Sequence, residues 1–248
     1  MGVAADLLTG PDDQVVLVCD GQGLASVSAD GRRAEVIVTE PVGLPAATLA
    51  ASAVLALVAE LGFSPIHASL ADRDAAVMFC GERSRGKSSS CMALARAGWT
   101  VRADDRCFVH TPDDRILVWG PGGTVSLRSG AAELWPDLVD KMAGDRGAIG
   151  KHVVEAAAVG GRAEAGSVVC HALLFPEVVG DGPHRVERMP RAEALSEMLL
   201  TTGLALVPAH AALHFRHLTT LIEQTSCYRL MLGEDMDALP SAIAGVLE

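Results

Sequence analysis

Eight consecutive residues have the glycine, lysine and hydroxyl spacing of a phosphate-binding loop, G-x-x-x-x-G-K-[ST], and they run from Gly81 to Ser88. The apolar run Ala75–Cys80 before them predicts a buried strand, and the pattern from Lys87 to Ala97 predicts a helix after them. Backbone N–H groups at such a strand-to-helix turn form an anion cradle, which the helix dipole reinforces. The alternative is a glycine-rich turn that binds nothing.

The loop pattern predicts a role for the lysine and for the hydroxyl residue at its end. Lys87 is expected to reach the β- and γ-phosphates, and the Ser88 hydroxyl to take one Mg²⁺ position, so the sequence predicts binding of ATP or GTP. Ser84 stands where such loops often carry glycine, and Arg83 and Arg85 either touch phosphate or lie in solvent. The predicted nucleotide-binding residues are Gly81, Glu82, Arg83, Ser84, Arg85, Gly86, Lys87, Ser88 and Ser89.

Two adjacent carboxylates, Asp104 and Asp105, follow the loop helix at the end of a short predicted strand. Asp105 comes 18 residues after Lys87, a spacing that predicts the second strand beside the loop strand, with its acidic end near the γ-phosphate. One carboxylate there could hold Mg²⁺ and the other could accept the proton of an attacking hydroxyl. The alternative is a turn-forming Asp-Asp pair. Arg102 interrupts the apolar run that a Walker B strand would have, and no GTPase base-recognition motif is present.

These motifs together resemble the HPr kinase/phosphorylase family, which are bacterial kinases that phosphorylate a protein serine with a phosphate-binding loop. The resemblance covers residues 63 to 125 and rests on three stretches: PIHAS around His67, GERSRGKSSS, and ARAGWTVRADDR. It implies an α/β fold of the HPr-kinase-like P-loop class, in which helices flank a mixed sheet. It also implies ATP and Mg²⁺ as cofactors.

The resemblance further implies roles for individual residues. Asp105 corresponds to the general base that activates the acceptor hydroxyl, Lys87 to the charge-stabilising lysine, and His67 to the active-site histidine. Ser88 corresponds to a Mg²⁺ ligand. For Asp104 the resemblance implies a place in the site without a defined role, and our own expectation is that it binds Mg²⁺. The family's second signature is absent, and Val125–Arg128 stands in its place. The chain therefore looks more like the smaller HPr-kinase-like proteins of peptide-modification gene clusters, including lasso-peptide kinases, which act on a hydroxyl of a peptide or small molecule.

Composition limits the classes of partner. The net charge of −11 argues against nucleic acid or an anionic membrane as the main partner, and it leaves monomer and homo-oligomer both open. Six cysteines stand singly, mostly in apolar runs, which is typical of buried thiols in a reducing cytoplasmic compartment. The N-terminus lacks the positive start of a signal peptide. The uncharged segment 42–59 predicts a core helix at 46–61 rather than a membrane span.

Turn residues and periodicity predict two domains, with an N-terminal part at 1–62 and a kinase core at 63–248. Three strands at 14–19, 24–28 and 34–39 predict a small antiparallel β-meander before the 46–61 helix. His67 is predicted to lie on a strand that pairs with 75–80. Strands near 106–110 and 115–119 predict an antiparallel hairpin.

The second half is predicted to carry one helix at 130–143, a mobile loop at 144–151 and a long buried strand at 167–175. Further helices are predicted at 193–200, 209–223 and 236–247, with a strand at 227–231. Lys151 is either a solvated loop lysine or a residue that reaches nucleotide or substrate.

Other polar residues leave alternatives open. His210, His214 and His217 share one helix face and either bind Zn²⁺ or simply pack there. His67 is either an active-site residue or a satisfied core histidine. Arg106 and Arg128 could stabilise phosphate charge or lie in solvent.

These residues favour an ATP-dependent kinase that phosphorylates a hydroxyl, and the expected acceptor is a serine of a peptide or protein. A nucleotide-binding accessory protein that transfers nothing could use the same loop. A phosphoenolpyruvate-carboxykinase-like chemistry would need further metal ligands and a much longer chain.

Overall fold

A computed structural model describes residues 6–10, 14–19, 21–40, 44–128, 130–142, 151–202 and 210–247. The chain divides into two compact units, of which the first comprises Met1–Pro65 with Gly203–Arg216 and the second Ile66–Thr202 with His217–Glu248. The predicted loop and both predicted aspartates belong to the second unit.

The first unit contains an antiparallel meander of four strands in sequential order, followed by a helix. Alternate side chains of the meander, including Leu17 and Val27, pack with Leu49 and Ala53 of the helix in one apolar cluster. The predicted meander is confirmed, but the first of its four strands was missed because its DLLT sequence has no clear alternation. The elements are β1 (Asp6–Thr9), β2 (Val15–Cys19), β3 (Gly23–Val27), β4 (Ala34–Val38) and α1 (Leu44–Glu60).

No helix within the described ranges has the length and apolar character needed to cross a membrane. The uncharged segment is instead the 17-residue helix α1, whose apolar face packs on the meander. The predicted core helix is confirmed.

The second unit is built on a seven-stranded mixed sheet in the order β13-β8-β6-β7-β15-β17-β16. Strands β7, β15 and β17 are parallel, whereas β6 runs antiparallel to both of its neighbours, β7 and β8. The bounds are β6 (Ser69–Asp72), β7 (Ala76–Phe79), β8 (Thr100–Ala103), β13 (Arg162–Ala163), β15 (Cys170–Val178), β16 (Arg185–Arg188) and β17 (Ser226–Leu232).

The strand that ends at the aspartates was wrongly predicted to lie beside the loop strand, because β6 lies between β7 and β8. Two antiparallel pairings in succession nevertheless leave β7 and β8 pointing the same way. Their carboxyl ends therefore share one edge of the sheet, where ligand chemistry is usual in α/β folds.

Shorter strands form two further sheets in this unit. Strands β9 (Cys107–His110), β10 (Leu117–Gly120) and β14 (Gly166–Val168) pair antiparallel, which confirms the predicted hairpin. Strands β11 (Thr124–Leu127) and β12 (His152–Glu155) form a two-stranded antiparallel ribbon that was not predicted. The strand predicted at 167–175 is in fact two strands, β14 and β15, in different sheets. Strand β5 (Ser64–Ile66) spans the boundary between the units.

Helices pack on both faces of the main sheet and create two apolar clusters. One contains α2 residues such as Met92 and Leu94, and the other contains α5 and α6 residues such as Met198 and Leu221. The helices are α2 (Lys87–Arg96), α3 (Ala131–Leu134), α4 (Val139–Met142), α5 (Arg191–Thr202), α6 (Ala211–Gln224) and α7 (Leu239–Ala244).

Two sequence predictions concern residues 130–151. The single helix predicted at 130–143 is wrong, because Pro136 starts a separate 3₁₀ turn, Pro136–Leu138, between α3 and α4. The mobile loop predicted at 144–151 lies outside the described residues except for Lys151. The six cysteines are all free and buried, as predicted.

Candidate functional site

The predicted phosphate-binding loop connects β7 to α2, so the expected strand–loop–helix order is confirmed. Gly81 and Gly86 take positive φ of 115° and 100°, and Ser84 also lies in the left-handed region with φ of 67°. Gly86 is the N-cap of α2 and supplies no side-chain cap. The amides of Lys87, Ser88 and Ser89 at the start of this ten-residue helix have no carbonyl partner within the helix, so they are suited to bind an anion.

We expect Gly86→Ala to lower the free energy of unfolding by about 1–3 kcal/mol, because a Cβ is strained at this φ. The added atom would also lie 2.4 Å from Cδ1 of Leu232. Gly130→Ala is the matched control, since φ there is −62° and the added atom meets nothing within 4 Å. Chemical denaturation measures both, and equal losses for the two variants would contradict the account of Gly86.

Lys87 closes the loop upon itself. Its ammonium donates to the carbonyl oxygens of Gly81 at 2.7 Å and Glu82 at 2.8 Å, and the residue is only 6% exposed. Burial lowers the pKa of Lys87. A cation held at the loop mouth by neutral carbonyls is well suited to exchange these acceptors for phosphate oxygens.

The two arginines of the loop lie nearer to solvent than Lys87 does. Arg85 lies 3.8 Å from the carboxylate of Glu82 and 3.6 Å from that of Glu177, and it is half exposed. Arg83 is exposed. Arg106 and Arg128, which could have stabilised phosphate charge, are exposed as well.

Asp104 lies against the start of the loop helix. Its Oδ1 accepts from the hydroxyls of Ser69 and Ser88, the latter at 2.9 Å, and its Oδ2 accepts from the backbone N–H of Ser126 at 2.7 Å. Burial raises the pKa of Asp104. The structure thus brings together the two predicted Mg²⁺ ligands, Ser88 and Asp104.

The donor set of Asp104 fits a hard divalent cation. Its described partners are hydroxyl and amide groups, all neutral, so this half-buried carboxylate has no cation among its described hydrogen-bond partners. Mg²⁺ is commonly held by one or two protein oxygens together with phosphate oxygens and water. The described residues contain no cluster of three or more His, Cys, Asp or Glu suited to a metal.

Asp105 adopts a left-handed backbone conformation with φ of 72°, and its side chain is 40% exposed. The Lys151 ammonium lies 3.1 Å from its Oδ1, and Nδ1 of His67 lies 3.4 Å from the same oxygen. Burial acts to raise the pKa of Asp105, but the charge and hydrogen bond of Lys151, together with the charge of Lys87, outweigh it and hold the pKa below its usual range. Asp105 is therefore a carboxylate at neutral pH.

His67 is not on a strand, contrary to prediction, but in the connection between β5 and β6. Its Nδ1 lies 2.8 Å from the backbone carbonyl oxygen of Asp105. Burial, and next the charge of Lys87, lower the pKa of His67, so the ring is neutral at pH 7. Since a carbonyl only accepts, Nδ1 carries the hydrogen and Nε2 is left as an acceptor.

Sequence reasoning missed two contributors to the site, Ser69 and Ser126. Ser69 is a fully buried hydroxyl on β6, directly before the apolar pair Leu70–Ala71, and this position was an available signal. Ser126 acts through its backbone N–H, which no residue pattern reveals. Lys151 was expected to be solvated more readily than bound, yet its side chain is only 18% exposed and contacts Asp105.

Among the described residues, His210, which directly precedes α6, and His214 and His217 of α6 have no hydrogen-bond partner in common. His210 Nε2 lies 2.8 Å from the Glu60 carboxylate, and His217 Nε2 lies 3.3 Å from the Thr111 hydroxyl. Within the described residues neither ring nitrogen of His214 has a hydrogen-bond partner, although the residue is 2% exposed. The interpretation of this helix face as a packing surface fits better than a Zn²⁺ site.

Burial lowers the pKa of His214, which has a consequence for stability. The folded-state pKa lies below the unfolded value of about 6.5. The contribution of neutral His214 to the free energy of unfolding is therefore complete above that pH, and it is lost as the pH falls through the folded-state pKa. On acidification below pH 6.5, the free energy of unfolding should fall less for His214→Leu than for the wild type. The difference should reach up to about 1.4 kcal/mol for each unit by which folding lowers the pKa of His214. Denaturant titrations at several pH values measure this, and parallel curves for both proteins would contradict it.

Comparison with known proteins gives distant matches among solved structures. No protein-family model and no curated protein sequence matches this chain. The HPr(Ser) kinase/phosphatase from Coxiella burnetii is similar in structure with a TM-score of 0.37 and 13% identity, over 74% of this chain and 95% of that chain. The function is therefore inferred from the residues of the site.

Proposed function

We propose that this protein is an ATP-dependent kinase that transfers the γ-phosphoryl group to a hydroxyl, most simply a serine, of a peptide or protein. The proposal is carried by one contact: Ser88 at the start of the loop helix donates to Asp104 at 2.9 Å. This contact joins the anion-binding end of α2 to the pair of aspartates. A phosphate held by the helix amides would therefore lie beside both carboxylates.

The triphosphate is bound by the loop Gly81–Ser89. The amides of Lys87, Ser88 and Ser89 would donate to phosphate oxygens, while Lys87 turns its ammonium from the loop carbonyls to the β- and γ-phosphates. Glu82, Arg83, Ser84 and Arg85 would contribute chiefly through the backbone of the turn.

Ser88 and Asp104 would hold Mg²⁺. When bound, the ion neutralises charge on the phosphate oxygens. The neutral hydrogen bonds to Asp104 from Ser69 and from the amide of Ser126 keep the carboxylate oriented for this purpose.

Asp105 is the proposed proton acceptor. As the acceptor oxygen forms its bond to the γ-phosphorus, its O–H bond breaks and the proton passes to the Asp105 carboxylate, while the bond from phosphorus to the ADP oxygen breaks. Because the pKa of Asp105 is low, its main contribution is to orient the hydroxyl, and the proton moves late in the transfer. His67 fixes the backbone of Asp105. Lys87 stabilises the charge on the transferring group.

A peptide or protein acceptor, a cytoplasmic location and the absence of nucleic-acid or membrane partners complete the proposal. The net charge of −11 supports the last of these, since it disfavours polyanionic partners.

The test is mass spectrometry of arrayed serine-centred peptides after incubation with the protein and ATP·Mg²⁺. A kinase adds one phosphate to at least one peptide. Tight ATP binding with no transfer to any peptide or to water would contradict the proposal and support a nucleotide-binding accessory protein.

A further inference from the structure

Lys151 enters the site from a part of the chain that neither the loop nor the aspartate motif includes. Its ammonium lies 3.1 Å from Oδ1 of Asp105, and its side chain is 18% exposed, whereas the carboxylate is 40% exposed. A long lysine side chain loses considerable rotamer entropy when it is held in this way, and exposed lysines usually keep the ammonium in water. The burial of Lys151 beside Asp105, the proposed proton acceptor, therefore indicates a role in the site.

The ribbon β11–β12 explains how Lys151 reaches Asp105. Lys151 immediately precedes β12, whose first residue, His152, pairs with Leu127 at the end of β11. One residue earlier on β11, Ser126 donates its backbone N–H to Asp104. The same ribbon thus contacts both aspartates, one through a backbone amide and the other through an ammonium.

The contacts of Asp105 with described side chains involve one carboxylate oxygen and leave the other for the acceptor. Both described side-chain contacts, from Lys151 and from His67, fall on Oδ1. The backbone is held separately by the 2.8 Å contact between His67 Nδ1 and the Asp105 carbonyl. A carboxylate fixed at Oδ1 and at the backbone presents Oδ2 in one orientation, which is the preorganisation that a transfer site requires.

On this geometry, and resting on the proposed kinase function, we propose that Lys151 is a positioning residue that clamps Oδ1 of Asp105 so that Oδ2 receives the acceptor hydroxyl. Lys87 cannot replace it, because the Lys87 ammonium is held at the loop carbonyls and is directed to phosphate on binding. In this proposal, Lys87 binds the phosphates of the nucleotide, whereas Lys151 positions the carboxylate of Asp105.

The experiment compares Lys151→Met, Lys151→Arg and the control Arg115→Met, which removes one positive charge from an exposed residue. The substrates are ATP·Mg²⁺ with the best acceptor from a serine-centred peptide library, and ATP with water as acceptor. We expect Lys151→Met to lower kcat about 10- to 100-fold through misplacement of the base, with the ATP Kd from calorimetry within about twofold of wild type. Lys151→Arg should recover kcat to within about fivefold of wild type, because it restores a cation at the same carboxylate.

The outcomes separate the two proposals. Wild-type kcat in Lys151→Met, or an ATP Kd that weakens as much as kcat falls, would overturn the role of Lys151 and leave the kinase function standing. Loss of kcat that Lys151→Arg does not recover would overturn it as well. A wild-type protein that binds ATP but transfers phosphate neither to peptide nor to water would overturn the kinase function itself.

Discussion

Asp105→Asn should keep nucleotide affinity and lose phosphoryl transfer. The amide cannot accept the hydroxyl proton, so we expect kcat to fall by about 10²- to 10⁴-fold, the usual contribution of general acid–base catalysis. ATP affinity should stay the same or increase slightly. Asparagine removes a negative charge near the γ-phosphate position while Lys87 and the helix amides are unchanged. Calorimetry with ATP·Mg²⁺ and single-turnover transfer assays measure the two quantities.

A matched control is available for this variant in Asp113→Asn, which makes the same chemical change at an exposed residue of the 3₁₀ turn Pro112–Asp114. Asp113→Asn should transfer phosphate at the wild-type rate. If Asp105→Asn also turned over at that rate, Asp105 would not be the proton acceptor. If it lost ATP binding instead, Asp105 would belong to the nucleotide site.

Lys87→Ala should lose both nucleotide affinity and transfer. Removing one charge-assisted contact to phosphate costs about 1.5–3 kcal/mol, so we expect the ATP Kd to rise about 10- to 100-fold. Transfer at saturating ATP should fall further, because the lysine also stabilises charge that grows in the transition state. Calorimetry gives the Kd and single-turnover kinetics the rate.

Lys87 also ties the loop carbonyls of Gly81 and Glu82 together, so part of the loss could come from the fold of the loop. Lys87→Arg keeps the cation and the hydrogen-bond donors and serves as the second variant. It should bind ATP more tightly than Lys87→Ala at an unchanged melting temperature. Equal ATP affinity in wild type, Lys87→Arg and Lys87→Ala would contradict a phosphate-binding role.

Local patterns in the sequence predicted the parts of the site that neighbouring residues determine. The turn from β7 through Gly86 into α2 depends on a short apolar strand, on glycines at positive φ and on a helix start, all of which lie within a few residues of one another. The position of the Asp104–Asp105 pair at the end of β8 is local in the same sense. Residue types and their spacing are therefore sufficient to identify these features.

Pairing between distant strands could not be predicted in the same way. Nothing in the sequence of β6 indicates that it lies between β7 and β8, because a strand of four residues with two apolar side chains is compatible with several neighbours. The ribbon β11–β12 joins segments about 25 residues apart, and its alternation is weak. Ser126 belongs to this ribbon and Lys151 directly precedes its second strand, so the contacts of both residues with the aspartates could not be predicted either.

The environment of His67 could not be predicted from the resemblance alone. The strand predicted to contain this residue was displaced, since β6 begins at Ser69, two residues further along the chain. The connection that holds His67 allows its ring to reach the backbone of Asp105, 38 residues further along the chain. Only the folded sheet brings these two positions together.

The central claim is that the loop helix, Lys87 and the two aspartates form one site around the phosphates of a nucleotide. A crystal structure with a non-hydrolysable ATP analogue and Mg²⁺ tests it most directly. The account predicts the γ-phosphate within hydrogen-bond distance of the Lys87 ammonium and the α2 amides, with the metal on Ser88 and Asp104 and with Asp105 facing the γ-phosphorus. A nucleotide bound elsewhere, or Lys87 still held by Gly81 and Glu82 in its presence, would contradict it.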